Sequence, residues 1–430
     1  MTAMLSPPVE PNALIGSAAH RTNNANGRPL GHRSAGALGA ASWSCPTTVL
    51  SGYGMAQAWA MDRTESAITV IVDPAVAGDP TVMNVVESLD ARAELRNVQL
   101  AGPVDLAGVR QLANTIGNSE LVVGIGGGTI MDAVALSAAT AADPAVSARL
   151  EVPERSGLVI LAPSGRPTAR TVLLPTTVGT GAEISSVACL PGRGGRRLIM
   201  GEALRPTTAV LDPMLTTGLP RHLLAEGILE ALFRVTSPGL AGMEHRPVAD
   251  ALADALTGEL TTCGESLVAS GPSDPALRLR IAEASAATHA SWNVLGRDPF
   301  GAVGWFLANQ LSSETHVRKM TAVAALLPHL WRRVLGGDRR FGEAGCLHRQ
   351  WRLIAGRVAG DLPSDPATGI AELIDHWGIS AAIPQVGHYD VKRISRRTLR
   401  AWGAGLPMLG TLDPAAVRDV LTDTMSGGER

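Results

Sequence analysis

The sequence lacks the features that mark disulfide-stabilised, membrane-spanning and polyanion-binding proteins. Its four cysteines lie far apart without a C-x-x-C pair, which argues against a disulfide framework or a zinc knuckle. No apolar run reaches the ~20 residues that a membrane-spanning helix needs. Thirty-seven basic and 39 acidic residues give a net charge of −2, which offers no broad attraction for nucleic acid or an anionic membrane. The first residues also lack the pattern of a signal peptide, and we expect a cytoplasmic protein.

What the chain does contain is enough apolar material for a large core. Its 430 residues are 45% hydrophobic and 18% charged, which predicts two globular domains. Residues 1–45 have no hydrophobic period and are predicted to form a flexible N-terminal arm. Residues 46–215 alternate apolar strands with helical segments, as is typical of a parallel α/β domain. Residues 216–430 have an apolar period near 3.6 and predict an all-α domain.

Individual elements can be placed from the same periodicities. Strands are predicted at Ala67–Val72, Val98–Leu100, Leu121–Ile125 and Thr171–Leu174. A helix followed by a surface loop or hairpin is predicted over 138–170. Helices of the second domain are predicted over 221–236, 245–269, 275–296, 301–311, 317–336, 346–359, 366–377, 390–402 and 414–425.

The most informative stretch is VVGIGGGTIMD at 122–132. An apolar strand ends in Gly126, Gly127 and Gly128, and a helical pattern follows from Thr129. Glycine permits a sharp turn and close approach of a ligand, and the free N–H groups of the next helix favour a phosphate. We interpret the turn as a dinucleotide pyrophosphate site, although it lacks the G-x-G-x-x-G spacing and a plain tight turn is the alternative.

Two further segments fit a dinucleotide. Asp73 follows a predicted strand, where its carboxylate suits ribose hydroxyls and repels a 2′-phosphate, which favours NAD over NADP. A turn residue before Pro74 is the alternative. The loop PTTVGTGAE at 175–183 offers backbone N–H groups and hydroxyls together, as a phosphate or a nicotinamide amide requires.

These motifs carry a resemblance to a known superfamily. GIGGGTIMD at 124–132, PTTVGTGAE at 175–183 and ALRPTTAVLDPMLTTGLP at 203–220 resemble, in this order, the iron-dependent alcohol dehydrogenases, glycerol dehydrogenases and dehydroquinate synthases. The resemblance runs from about residue 48 to residue 425. It implies a dehydroquinate synthase-like fold, bound NAD, a divalent metal between the domains, and pairing into a homodimer or a complex with a related subunit. The cofactor contacts that it implies are Gly52, Asp73, Gly126, Gly127, Gly128, Thr129, Asp132, Thr176, Thr177 and Thr180.

The chain departs from this family at the metal ligands. Glu230 stands at the carboxylate position, whereas Arg234, Trp305, Asn309 and Lys319 stand where relatives carry histidines. Arginine and lysine offer no lone pair at neutral pH, and their charge repels a dication. We therefore expect no metal, and we expect Lys319 or Arg234 to pair with Glu230. A purely structural ion pair in a silent site is the alternative.

Three other residues bear on this comparison. A shift in the alignment of the last segment would bring His316 or His329 to the metal position instead of Lys319. Phe233 replaces a lysine that the synthase pattern places after the carboxylate, which makes a carbocycle-forming synthase the less favoured class.

The chemistry that remains is hydride transfer without a metal. The Lys319 ammonium would donate a hydrogen bond to a carbonyl or alkoxide, and Arg234 with Lys319 would clamp a substrate carboxylate. The substrate would then be a small hydroxy acid or a peptide C-terminus. Relatives of this superfamily in daptide-type ribosomal peptide biosynthesis, which oxidise a C-terminal Thr, are an analogy. The competing hypothesis is a pseudoenzyme that binds NAD as partner or scaffold of an active dehydrogenase.

Overall fold

The computed structural model describes residues 45–426 except for 153–154, 163–168, 193, 242–245, 291, 298–299, 302, 385–387 and 404. The predicted arm, residues 1–45, therefore lies almost wholly outside the described residues. No helix among the described residues is long and apolar enough to cross a membrane.

A parallel sheet occupies the first half of the chain. Within the described residues it has six strands in the order β1-β9-β6-β4-β2-β3, and β5, β8 and β7 form a second, smaller sheet. The strands are β1 (Thr48–Ser51), β2 (Ala67–Val72), β3 (Glu94–Gln99), β4 (Leu121–Gly126), β5 (Leu158–Ile160), β6 (Arg170–Pro175), β7 (Val187–Gly192), β8 (Gly195–Met200) and β9 (Thr208–Leu211).

Helices cover the large sheet and then make up the second half of the chain. Those of the first half are α1 (Met55–Met61), α2 (Pro80–Asp90), α3 (Leu106–Ile116), α4 (Gly128–Ala142) and α5 (Pro144–Glu151). Those of the second half are α6 (Arg221–Thr236), α7 (Pro247–Ser270), α8 (Pro275–Ala287), α9 (Val303–Thr315), α10 (Lys319–Leu335), α11 (Ala344–Ala355), α12 (Pro366–His376), α13 (His388–Trp402) and α14 (Pro414–Ser426).

Local chemistry explains where several helices begin. An Asp-Pro pair starts α2, α5, α8 and α12. The Asp side chain accepts an N–H of the first turn, as Asp274 accepts the N–H of Ala276 at 2.8 Å, and the proline lacks the N–H that the first turn would leave unpaired. Each signal is readable in the sequence, and the predicted helices 275–296 and 366–377 begin at the prolines of two of these pairs.

The central strands are apolar along their whole length because helices pack on both faces of the sheet. β2 and β4 are buried almost throughout, with Val70 opposite Val123, and Val123 opposite Val172 of β6. Since all six strands run in one direction, their carboxyl ends share one edge. Asp73, Gly126 and Thr176 therefore end neighbouring strands at that edge.

The fold class is confirmed: a parallel α/β sheet is followed by a helical region. Two element predictions are wrong in detail, and one pair of strands was missed. The predicted helix 275–296 ends at Ala287, because Thr288 and His289 turn back onto the last turn of α8. The predicted strand Val98–Leu100 begins at Glu94. The antiparallel pair β7–β8 was not predicted, because the buried Arg197, whose guanidinium donates to the Leu150 carbonyl, interrupts its apolar pattern.

The domain boundary near residue 215 stays a prediction. The last strand of the large sheet ends at Leu211 and the first long helix begins at Arg221. Arg278 of α8 holds the connection between them, since its guanidinium donates to the carbonyls of Thr216, Thr217 and Leu219, while only 4% of the residue is exposed.

We predict that Arg278→Met lowers the free energy of unfolding by about 3 kcal/mol, because three carbonyls, of which that of Thr216 is buried, lose a charged donor. Urea unfolding monitored by circular dichroism measures the change. Arg280→Met on the same helix is the matched control: its pair with Glu259 is about two-fifths exposed, and its loss should cost about 1 kcal/mol or less. Equal losses in the two variants would contradict the role given to Arg278.

Candidate active site

The glycine turn connects β4 to α4 in the predicted way. Gly127 is the N-cap of α4, and no side chain of the described residues caps this helix, so its first N–H groups face the strand edge. A Cβ at Gly126 would lie 2.6 Å from Ile130 Cγ1 and 3.1 Å from Asp73 Cβ. Only glycine fits there, because the turn is pressed between the helix and the end of β2.

The loop PTTVGTGAE at 175–183, called the Thr-rich loop below, lies against this turn. The N–H of Thr176 donates to the Gly126 carbonyl at 3.0 Å. A Cβ on Gly128 would lie 3.1 Å from Thr180 Cγ2, and one on Gly127 would lie 3.8 Å from Thr177 Cγ2. Two motifs separated by about 50 positions in the sequence thus lie in contact at one edge of the sheet, the edge at which parallel α/β folds bind dinucleotides.

The remaining predicted cofactor residues, Asp73, Thr129 and Gly52, differ in how they lie relative to the glycine turn. Asp73 also caps its own turn, accepting the N–H of Ala75 at 2.9 Å, so both interpretations of this residue fit. Thr129 is exposed on the first turn of α4. Gly52 ends β1, three strands from β4, and its N–H donates to the Leu211 carbonyl. The cofactor roles of all these residues stay predictions.

The carboxylate of Asp132 is hydrogen-bonded to β7, away from the glycine turn. Its Oδ2 accepts the N–H of Cys189 in β7 at 3.1 Å. Burial raises the pKa of Asp132 to about 7, while the Cys189 N–H and the charge of Lys319 lower it. Asp132 therefore lies within electrostatic reach of the helical half of the site, one turn of α4 beyond Gly128.

Four of the five side chains that the family resemblance relates to metal ligands lie close together: Glu230, Arg234, Trp305 and Lys319. Lys319, the first residue of α10, places Nζ 3.0 Å from Glu230 Oε1 of α6. The same Nζ lies 4.0 Å from the centroid of the Trp305 ring in α9, within the range of a cation–π contact. Arg234, one turn after Glu230, places Nη2 3.6 Å from that same Oε1. Asn309 lies one turn beyond Trp305 on α9 and is half-buried.

The guanidinium of Arg234 is committed to the protein. Nη1 donates to Thr288 Oγ1 at 3.0 Å, and Nη2 donates to the carbonyls of Gly179 at 2.5 Å and Thr180 at 3.3 Å. Its side chain is only 15% exposed. The clamp of a substrate carboxylate by Arg234 stays a prediction, but it is disfavoured because both terminal nitrogens of the guanidinium already donate to acceptors within the protein.

Three functional candidates were not among the predicted site residues. His289 hydrogen-bonds the Thr180 carbonyl through Nε2 at 3.1 Å, and burial together with the charge of Arg234 keeps its pKa well below the usual range. Glu183 lies inside the Thr-rich motif, and burial raises its pKa to about 7 against the charge of Arg234. Glu226, one turn before Glu230, forms a bidentate ion pair with Arg318, whose Nε and Nη2 both donate to its carboxylate. Of the three, only Glu183 could have been found from the sequence, because it lies within the motif PTTVGTGAE.

The donor atoms at this point do not fit a divalent metal ion. The described residues contain no group of three or more His, Cys, Asp or Glu that could hold one. Glu230 already pairs with an ammonium, which has no lone pair and repels a dication. His316 is exposed in the connection between α9 and α10, with φ 59°, and His329 lies beside Arg332 on α10.

These features define a two-part protein with a dinucleotide-type α/β half and a helical half that adds charged side chains to the strand edge. The model of the family described as iron-containing alcohol dehydrogenase matches residues 46–213. Phosphonoacetaldehyde reductase of Streptomyces viridochromogenes is 36% identical over 174 residues, which are 40% of this chain and 44% of that protein. With 51% of a second curated relative matched, the chain spans about half the length of these proteins.

Solved structures extend the likeness of fold over the helical half. NADH-dependent butanol dehydrogenase A of Thermotoga maritima matches with a TM-score of 0.72 and 16% identity, over 90% of this chain and 98% of that one. Sulfoacetaldehyde reductase of Bifidobacterium kashiwanohense, in complex with NAD+, matches with a TM-score of 0.71 and 18% identity, over 90% and 99%. The family match therefore covers the α/β half of the chain, and the solved structures show the same fold in the helical half.

The two raised carboxyl pKa values predict a pH-dependent stability. Asp132 and Glu183 hold their protons up to about pH 7 when folded, but such groups lose them near pH 4 when unfolded. The folded state therefore binds more protons between these values, and the free energy of unfolding should fall as the pH rises from about 4 to about 7.

Thermal unfolding between pH 5 and 8 measures this fall, and Asp132→Asn should flatten part of it. Asp62→Asn removes a carboxylate whose side chain is 90% exposed and should leave the slope unchanged. A slope that is the same in the wild type and in Asp132→Asn would contradict the assignment.

Proposed function

We propose that this protein is an NAD(H)-dependent oxidoreductase that interconverts a small alcohol and its carbonyl compound, without a metal ion, with Lys319 as the group that polarises the substrate oxygen. The observation that carries the proposal is the position of the Lys319 ammonium. Its nitrogen lies 3.0 Å from Glu230 Oε1. Arg234 Nη2 lies 3.6 Å from the same oxygen and donates to the Gly179 carbonyl in the loop that packs on the glycine turn. A continuous set of contacts thus links the ammonium to the cofactor edge.

The cofactor assignment is supported by the edge itself and by relatives. Open N–H groups at the start of α4 suit a pyrophosphate, and Asp73 at the neighbouring strand end suits an unphosphorylated ribose. Two proteins of the same fold are described as NADH-dependent and as complexed with NAD+. Bound NAD(H) would supply or accept the hydride.

The residues of the chain would handle the oxygen and the proton. Lys319 Nζ, 29% exposed on its side chain, can donate a hydrogen bond to a carbonyl oxygen and give a proton to the alkoxide that forms. Solvent can return the proton to the lysine. Trp305 packs against the ammonium and limits its positions. Reduction then consumes one hydride and one proton for each carbonyl group.

The substrate class that we propose is a short aldehyde or hydroxy compound that carries an anionic group. Phosphonoacetaldehyde reductase and sulfoacetaldehyde reductase among the relatives have names that specify anionic aldehydes. In this chain Arg318, directly before Lys319, has a side chain that is 53% exposed although it pairs with Glu226. It replaces Arg234 as the candidate partner of a carboxylate, which a hydroxy acid or a peptide C-terminus would provide.

A catalytically silent NAD-binding partner of an active dehydrogenase is the second candidate. The specific observation in its favour is that Lys319 is already paired with Glu230 and stacked on Trp305, as in a structural ion pair. The same pair is compatible with catalysis if a substrate oxygen can replace Glu230 at the ammonium. Turnover assays on the variants below separate the two candidates.

We predict that Lys319→Met lowers kcat by about a hundredfold or more, because the developing alkoxide loses its charged donor and its proton source. NADH oxidation with a panel of short aldehydes, with and without anionic groups, measures this loss. NADH binding, followed by fluorescence, should change much less. Arg333→Met removes a cation from the other end of α10 and is the matched control, with activity expected to stay near that of the wild type. Unchanged turnover in Lys319→Met would exclude the catalytic role.

We predict that the purified protein contains well below one equivalent of iron, zinc or nickel. The triple variant Arg234→His/Trp305→His/Lys319→His, with Glu230 kept, should bind about one equivalent, because three imidazoles and a carboxylate are a suitable donor set. Elemental analysis after dialysis measures both contents. A full equivalent in the wild type that disappears in Glu230→Gln would overturn the metal-free proposal.

A further inference from the structure

The guanidinium of Arg234 lies between the two halves of the site and contacts both. On one side its Nη2 lies 3.6 Å from Glu230 Oε1, the oxygen that binds Lys319. On the other side the same Nη2 donates to the carbonyls of Gly179 and Thr180 in the loop that packs on the glycine turn. One nitrogen is thus shared by the proposed catalytic ion pair and the proposed cofactor loop.

We propose that Arg234 is a positioning residue that couples the state of the Lys319–Glu230 ion pair to the conformation of the Thr-rich loop, and thereby to NAD(H) affinity. This inference rests on the proposed function, since it assigns a regulation to the same site. It does not require that Arg234 touch either the substrate or the cofactor.

The physical basis is competition for one carboxylate oxygen. Two cationic groups lie near Glu230 Oε1: Lys319 Nζ at 3.0 Å and Arg234 Nη2 at 3.6 Å. When a substrate oxygen or anion draws Lys319 away, Glu230 is left as a buried carboxylate with one remaining cation. Its attraction for Arg234 Nη2 then increases, and the bonds from that nitrogen to the loop carbonyls weaken.

The loop is built to respond to such a change. Gly179 has φ +97°, and a Cβ there would lie 2.4 Å from Gly227 Cα of α6, so the loop is pressed onto the helix that carries both Glu230 and Arg234. Ser285 Oγ accepts the Gly179 N–H at 3.0 Å, and His289 binds the Thr180 carbonyl. These contacts from α8 and the turn after it hold one side of the loop, and Arg234 holds the carbonyls of Gly179 and Thr180.

The coupling has a definite direction. Removing Lys319 frees Glu230 to attract Arg234, so Lys319→Met should weaken NADH binding, moderately but measurably. In an Arg234→Lys background this effect should disappear, because a single ammonium keeps the charge but cannot bond Thr288, the loop carbonyls and Glu230 together. A simple electrostatic effect of Lys319 on the cofactor would be the same in both backgrounds.

The experiment is a double-mutant cycle read out as NADH affinity, with no turnover involved. Dissociation constants are measured by NADH fluorescence for wild type, Lys319→Met, Arg234→Lys and the double variant. We expect Arg234→Lys to weaken binding about tenfold, as the loss of charge-assisted bonds to the loop implies. The effect of Lys319→Met, about threefold in the wild type, should fall to near one in the Arg234→Lys background.

Arg318→Lys is the matched control, because it weakens a neighbouring guanidinium–carboxylate pair with Glu226 on the same face of α6 without reaching the loop. Lys319→Met should keep its full effect in that background. If Arg234→Lys does not fold, Thr288→Val, which removes the acceptor of Nη1, decides the question: it should weaken NADH binding and reduce the Lys319→Met effect.

The outcomes distinguish this inference from the function on which it rests. Additive effects of Lys319 and Arg234 on NADH affinity in a wild type that binds NADH and turns over substrate would overturn the coupling alone. A wild type that binds no NADH would overturn both. Non-additive affinity, with the Arg318→Lys cycle additive, would support the coupling even in a protein without turnover.

Discussion

The buried carboxylate of Glu230 is the constraint on which the site depends. An ionised carboxylate in a largely buried position needs a cation, because its lost hydration must be replaced. In this chain two side chains meet that need at a single oxygen, Lys319 from α10 and Arg234 from α6, the helix that carries Glu230 itself. The Lys319–Glu230 pair connects α10 to α6. The two cations also bring the charge of the helical half to the carboxyl edge of the sheet.

The sheet edge contributes backbone rather than charge. Gly126, Gly127 and Gly128 let the strand end, the Asp73 turn and the Thr-rich loop approach within van der Waals contact. No larger residue fits at Gly126, whose missing side chain leaves room for Ile130 and Asp73. The two halves of the site are therefore complementary: N–H groups at the sheet edge suit an anionic cofactor, and ammonium and guanidinium groups on the helices suit an oxygen that gains negative charge.

The sequence predicted the parts of this arrangement that depend on local pattern. The glycine turn between β4 and α4 and the nine helices predicted after residue 216 follow from periodicity and capping, and all of them correspond to helices or turns in the described residues. The proximity of Glu230 and Lys319 was anticipated only through a family resemblance, because 89 positions separate them in the chain. No periodicity relates them.

The role of Arg234 was out of reach for a different reason. Its acceptors are the backbone carbonyls of Gly179 and Thr180, and every residue has a carbonyl, so no residue type signals the contact. His289 was missed similarly, since only its packing against Gly181 places it at the loop. The strand that contains Arg197 was missed because a buried arginine with a carbonyl acceptor reads as a surface residue. Long-range hydrogen bonds between side chains and the backbone are thus the common cause.

A metal ion and this pair of cations would act differently on a substrate oxygen. Lys319 and Arg234 together carry two positive charges beside one carboxylate, the same formal charge that a divalent ion would bring. A metal ion polarises a carbonyl through a vacant orbital and stays in place through several ligands. An ammonium polarises it through a hydrogen bond, can give up that proton, and sits on a flexible stem that Trp305 and Glu230 restrain. The organic cations would therefore combine polarisation with proton transfer in one group, and their position would depend on the occupancy of Glu230 in a way that a fixed ion does not.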